Sequence, residues 1–179
     1  KIQKYIDNIH ITVGYKGSVI AKHVIRNNVR SVINTNNKGN AWWIFNFPFN
    51  LINEPIFVLT CDNITNIDFS LIEKDYKKKG SPECFLIPVN PVKNLEGDFI
   101  HKKKNIVTNL SRKIKSNIYC SGIQVVNPYK INKVIKKTED FNKVWKQLML
   151  KKKLKVSDVI PKQWFAIDNL KQLKIYKKK

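Results

Sequence analysis

Cysteine, glycine, arginine and acidic side chains are all scarce in this chain. The cysteines Cys61, Cys84 and Cys120 are odd in number and far apart among 179 residues. That excludes a disulfide framework and gives no metal-ligand spacing, so they read as reduced thiols of a cytoplasmic protein. The six glycines form neither G-x-x-x-x-G-K-[ST] nor G-x-G-x-x-G, which excludes a P-loop and a dinucleotide fingerprint. No apolar run approaches the ~18 residues of a membrane span, so no membrane partner is expected. The first ten residues have no apolar core of a signal peptide. Of 34 basic residues only Arg26, Arg30 and Arg112 are arginine. Readers of phosphate and bases favour the arginine fork. The net charge of +21 therefore reads mainly as a solvated lysine surface, and nucleic acid is not the expected partner. The lysines cluster at 77–79, 102–104, 151–153 and 177–179, where turns and helix ends are expected.

What is present is an alternation of apolar runs with helical periods. Residues 9–13, 31–34, 56–60, 84–89, 118–126 and 164–167 read as strands. Residues 99–101 and 106–110 flank a polar tip and read as a hairpin. Ser18 is expected to cap a helix, Asn40 an aromatic one over 41–47, and Asp68 one that stops at Gly80. Phe141, Val144, Trp145 and Leu148 form one apolar stripe on a helix over 139–150. The uninterrupted runs 56–60 and 84–89 suit strands covered on both faces. The pattern predicts a single α/β domain over residues 1–179, with a mixed, mostly parallel sheet and helices on both faces. The chain opens in what reads as the last turns of a helix, which predicts a preceding segment.

Two strand ends could carry chemistry. The run Leu59-Thr60-Cys61-Asp62-Asn63 ends a strand in an acid. In open α/β sheets ligands bind beyond the carboxyl ends of strands, and Mg²⁺ uses one or two carboxylates plus substrate phosphates. Capping of the next turn is an equal alternative for Asp62. The run Trp164-Phe165-Ala166-Ile167-Asp168-Asn169 repeats the arrangement, with helix capping by Asp168 or Asn169 as the alternative. The histidines His10, His23 and His101 lack partners at metal spacing, and no covalent nucleophile is indicated.

Taken in order, ITVGYKGSVI, GNAWWIFNF, EPIFVLTCDNI, LEGDFI with VTNLSRK, IYCSGIQVVNP and WFAIDNLKQL resemble the sugar-1-phosphate nucleotidyltransferase family over nearly the whole chain. That family includes mannose-1-phosphate guanylyltransferase and glucose-1-phosphate thymidylyltransferase. The resemblance implies a Rossmann-like nucleotidyltransferase fold. It also implies Mg²⁺-dependent transfer of a nucleotidyl group from a nucleoside triphosphate to a sugar 1-phosphate, releasing pyrophosphate. It implies that Asp62 and Asp168 hold the metal, that Gly39 and Asn40 lie by the base, and that Gly97 and Gly122 line the sugar pocket. It implies too that Lys113 faces the sugar phosphate and, with Asp62, supplies the catalytic charge.

The chain departs from the family pattern at three places. Ala166 stands where many relatives have the second acid, with Asp168 two positions later. Arg112-Lys113-Ile114 replaces Glu-Lys-Pro. The family's glycine-rich triphosphate loop is absent from these residues, so activity is expected of a protein that also carries that loop. The rival readings are a noncatalytic basic module that binds nucleic acid, which requires lysines gathered on one face, and a degenerate relative serving as a partner subunit. Homo-oligomerisation is left open.

Overall fold

The computed structural model describes residues 2–93, 95 and 97–177. Lys1, Asn94, Glu96, Lys178 and Lys179 lie outside it, and with them parts of LEGDFI and of the last lysine cluster. In chain order the strands and helices are β1 (His10–Val13), α1 (Gly17–Ile25), β2 (Ser31–Asn34), β3 (Ile56–Val58), β4 (Asn63–Asn66), α2 (Phe69–Lys78) and β5 (Cys84–Val89). They continue as β6 (Asp98–Lys103), β7 (Ile106–Ser111), β8 (Tyr119–Val126), α3 (Pro128–Val134), α4 (Phe141–Leu150), β9 (Leu154–Val156), β10 (Gln163–Ala166) and α5 (Leu170–Lys177). No helix among the described residues is long and apolar enough to cross a membrane.

A six-stranded sheet in the order β3-β8-β5-β9-β7-β6 holds the centre, and β1 pairs with β2 and β4 with β10 as two-stranded sheets. The sheet is mixed, as the alternation of elements predicts. "Mostly parallel" holds for strand direction and fails for pairing. The strands β3, β5, β9 and β6 run one way, but β8 enters antiparallel between β3 and β5. Within the central sheet only β5 and β9 are parallel neighbours. Hydrophobic runs reveal burial on both faces but not the order of insertion, so this detail is invisible in the sequence.

Strand β5 shows why helices cover both faces. All six of its residues are buried. Successive side chains of a strand point to opposite faces. Cys84 and Leu86 join the core under α3 and α4, with Ile131, Val144 and Leu148. Phe85, Ile87 and Val89 join the core under α2, with Ile72 and Tyr76. Helix α2 begins and ends as its sequence dictates: the Asp68 carboxylate accepts from Leu71 N at 3.0 Å, and Gly80 takes φ +83° beyond its last turn. The stripe on α4 is buried at all four positions, Phe141, Val144, Trp145 and Leu148.

Other expectations give way. Residues 41–47 form only a 3₁₀ turn at Trp42–Phe45, and the start of the chain is a 3₁₀ turn at Ile2–Lys4. Ser18 lies inside α1, whose cap position is Lys16 in the left-handed region at φ 52°. The run 56–60 is a strand for three residues only, and all three are half-buried.

One buried polar group links sheet and helix. Gln124, 1% exposed, accepts at Oε1 from Trp145 Nε1 at 2.9 Å and from Cys84 Sγ at 3.2 Å. Trp145→Phe removes the stronger donor and leaves a small void. It is expected to cost about 2 kcal/mol in urea unfolding, and an unchanged midpoint would contradict this packing.

Burial also decides thiol chemistry. Enclosure raises the Cys84 thiol far above its ordinary range and pushes Cys120 up to about 12. Cys61 is exposed. Thiolates are the reactive species. Ellman's reagent at pH 8 should therefore titrate exposed Cys61 first, half-buried Cys120 more slowly, and buried Cys84 only on unfolding. Rapid release of all three would contradict the assignment.

Candidate active site

Asp62 lies in a tight turn between β3 and β4, half-buried, with Asn63 N bonded to Thr60 O at 3.3 Å. Strand β4 then pairs antiparallel with β10, Asn63 opposite Ala166 and Ile64 opposite Phe165. The ladder is extended by one bond, from Ile167 N to Asp62 O at 2.9 Å. The two segments singled out in the sequence are thus brought side by side. Asp168 lies one residue beyond the partner of Asp62.

Asp168 lies past the end of a strand. Strand β10 ends at Ala166, so alternation along a strand does not carry from 166 to 168. Ala166, directly opposite Asn63, is 9% exposed and offers no ligand. Asp168 is exposed, in a bend outside the ladder. The cap of α5 is Asn169, whose Oδ1 accepts from Gln172 N at 3.0 Å. Asp168 bonds Gln172 only through its backbone N–H, at 2.6 Å to Oε1. Its carboxylate is not spent on capping.

The residue that binds this region together is Asn63, which the sequence reading passed over. Its Nδ2 donates to Asp62 Oδ1 at 3.2 Å, to Ser121 O at 3.3 Å and to the Thr60 hydroxyl, and its Oδ1 accepts from Trp164 Nε1. One side chain therefore ties the Asp62 turn to β8 and β10. The available signal was an amide adjacent to the acid in Cys61-Asp62-Asn63.

Gly122 belongs to the same region. It sits within β8 at φ +81°, and a Cβ there would lie 3.5 Å from Thr60 Cγ2. A left-handed glycine inside a strand lets backbone pass close to a neighbour. Gly97 is placed one element away. A Cβ on it would meet the Tyr119 ring at 3.1 Å, so its small size serves close packing against β8. Lys113 is exposed just beyond β7, where Ser111 Oγ accepts from its backbone N–H at 3.2 Å. The neighbouring Arg112 pairs with Asp98 at 3.2 Å, and Asp98 faces Cys120 across the sheet.

Gly39 and Asn40 contact the start of α4 instead. Gly39 N donates to Glu139 Oε2 at 3.2 Å, and a Cβ on Gly39 would sit 2.0 Å from Glu139 O. Asn40 does not cap the turn that follows it. Its Oδ1 accepts from Phe141 N at 3.0 Å and so caps α4 from a distant part of the chain.

The donor set suits a hard cation of the magnesium type. Among the described residues there is no group of three His, Cys, Asp or Glu that could enclose a metal. Asp62, half-buried before β4, and Asp168, exposed after β10, are the carboxylates beside this ladder, and an ion of that type takes one or two carboxylates and completes its shell with phosphates and water.

No family model matches the sequence, and no curated protein matches it. Solved structures do. The chain superposes on the inositol-1-phosphate CTP transferase from T. maritima with a TM-score of 0.75, at 16% identity, over 98% of this chain and 77% of that one. A provisionally assigned glucose-1-phosphate thymidylyltransferase from Bacillus anthracis, in complex with a sucrose, gives 0.74 at 11% identity over 97% and 76%. The CTP:phosphocholine cytidylyltransferase LicC from Streptococcus pneumoniae gives 0.66 at 17% identity over 98% and 79%. The α/β fold of this chain is the Rossmann-like fold of these nucleotidyltransferases.

Proposed function

We propose that the protein transfers a nucleotidyl group from a nucleoside triphosphate to a sugar 1-phosphate, with Mg²⁺ as cofactor. The observation that supports this most is the meeting of the Asp62 turn, Gly122 and the Asp168 end of β10 in one place, within a nucleotidyltransferase fold. In this reading Asp62 and Asp168 hold the ion, which supplies positive charge against the phosphates. Asn63 fixes the Asp62 carboxylate. Gly122 keeps the floor of the sugar side open, and Lys113 brings an ammonium toward the sugar phosphate. An oxygen of that phosphate attacks the α-phosphorus in line, a P–O bond forms, and the bond to pyrophosphate breaks. The side chains align and neutralise, and none becomes covalently attached. Free thiols at all three cysteines support a reducing compartment, the cytoplasm.

Pyrophosphate release, screened across the common triphosphates and sugar 1-phosphates with the full-length protein, tests the proposal. Turnover with at least one pair is expected, and none with any pair would overturn it. Asn63→Ala is expected to slow turnover about tenfold, or about 1.4 kcal/mol in the barrier. It should also raise the Mg²⁺ concentration needed for half-maximal rate, because Asp62 loses its tether. A variant with wild-type rate and Mg²⁺ dependence would remove Asn63 from the account.

A further inference from the structure

Three of the lysine clusters, far apart in sequence, meet at one end of the central sheet. Cluster 77–79 ends α2, cluster 102–104 forms the β6–β7 tip, and cluster 151–153 joins α4 to β9. Their turns are locked to one another. Ile106 pairs with Lys155, and Val156 N bonds Asn105 O at 2.9 Å. Lys155 Nζ donates to Lys79 O at 2.6 Å. Asp158 bridges Lys79 and Lys102, the latter at 3.1 Å, and Lys153 pairs with Glu83 at 3.0 Å. Those carboxylates occupy some of the ammonium groups. Lys78, Lys103, Lys104, Lys151 and Lys152 are exposed and have no carboxylate partner among the described residues.

This end is separate from the candidate active site. Cys84, at the start of β5, faces Val126 of β8, whereas Pro88 and Val89 face Cys120 and Tyr119. The lysines gather toward Cys84, and Asn63 touches β8 at Ser121, nearer the other end. Gathering unpaired ammonium groups costs repulsion that a polyanion would relieve.

We propose that this end of the sheet binds the phosphate backbone of nucleic acid without reading sequence. Lysine is a flexible point charge suited to phosphate, and the three arginines of the chain (Arg26, Arg30 and Arg112) all lie in other segments. A membrane surface fits less well. Interfacial anchors expose aromatic and aliphatic side chains among the lysines. Among the described residues Leu150 is the large exposed hydrophobic nearest these clusters in sequence and Ile160 lies two residues from Asp158, while Tyr5, Tyr15 and Phe47 belong to other segments.

The test is anisotropy titration of the full-length protein against a fluorescein-labelled, mixed-sequence 20-nucleotide RNA over a range of KCl. With about five phosphates neutralised, log K for this single strand should fall against log salt with a slope of about −3.5. A variant with Gln at 78, 103, 104, 151 and 152 should lose affinity at least about tenfold. A control with Gln at Lys4, Lys22, Lys162, Lys171 and Lys174, which carries the same net charge, should stay within about threefold of wild type. Both variants should melt as the wild type does. Equal losses in the two variants would overturn the proposal, since net charge alone would then act. So would absence of binding at low salt, or binding to phosphatidylserine vesicles without binding to RNA.

Discussion

Asp62→Asn is expected to lower turnover by about two orders of magnitude or more, with the melting temperature nearly unchanged. The substitution keeps shape and removes one negative charge from the place assigned to the metal. Loss of one electrostatic stabiliser in a preorganised site typically has this scale. The fold should tolerate it. Asp62 is half-buried in a turn, its backbone carbonyl keeps the bond from Ile167 N, and an amide oxygen can still accept from Asn63 Nδ2. Asp168→Asn should lower activity less, and α5 should remain intact because Asn169 caps it. Steady-state rates with saturating Mg²⁺, read beside circular-dichroism melts, separate the effects. Activity of Asp62→Asn within about threefold of wild type would remove Asp62 from the chemistry.

Gly39→Ala is expected to be among the most destabilising single changes in the chain, at about 3 kcal/mol or more. A Cβ at this position would lie 2.0 Å from the backbone oxygen of Glu139 and 2.7 Å from its carbonyl carbon. Backbone cannot rotate away as a long side chain can. Relief therefore means moving the segment that also holds Ala41 N to Glu139 O, at 2.9 Å, and Phe141 N to Asn40. Overpacking commonly costs about 1–3 kcal/mol, and a backbone clash belongs at the top of that range or beyond. Urea unfolding measures it. A variant with an unchanged unfolding midpoint but a raised KM for the triphosphate would return Gly39 to the base contact that the resemblance implies.

Much of the architecture is legible in the sequence because burial leaves a direct trace. The run Cys84–Val89 shows a strand covered on both faces, the stripe on α4 shows a helix with one buried side, and Asp68 with Gly80 brackets α2. What escapes is what pairing decides. The short strands β4 and β9 carry little periodic signal and exist because β10, β5 and β7 supply partners. The antiparallel insertion of β8 leaves no mark on any single segment.

The candidate site divides in the same way. Asp62 is found by its position after an apolar run. Its tether through Asn63 is not, because Ser121 and Trp164 come from two other parts of the chain. Asn40 has the composition of a local cap, yet its Oδ1 serves Phe141 N at the start of a helix 101 residues later, a pairing that only the folded chain creates.

The central claim is tested most directly by phosphorus NMR of the full-length protein with Mg²⁺, a sugar 1-phosphate and the triphosphate that gives turnover. The account predicts equal amounts of a nucleoside diphosphate sugar, in which the α-phosphorus is linked to the sugar phosphate, and of free pyrophosphate. Release of orthophosphate, or consumption of triphosphate without a sugar-linked diphosphate, would contradict it.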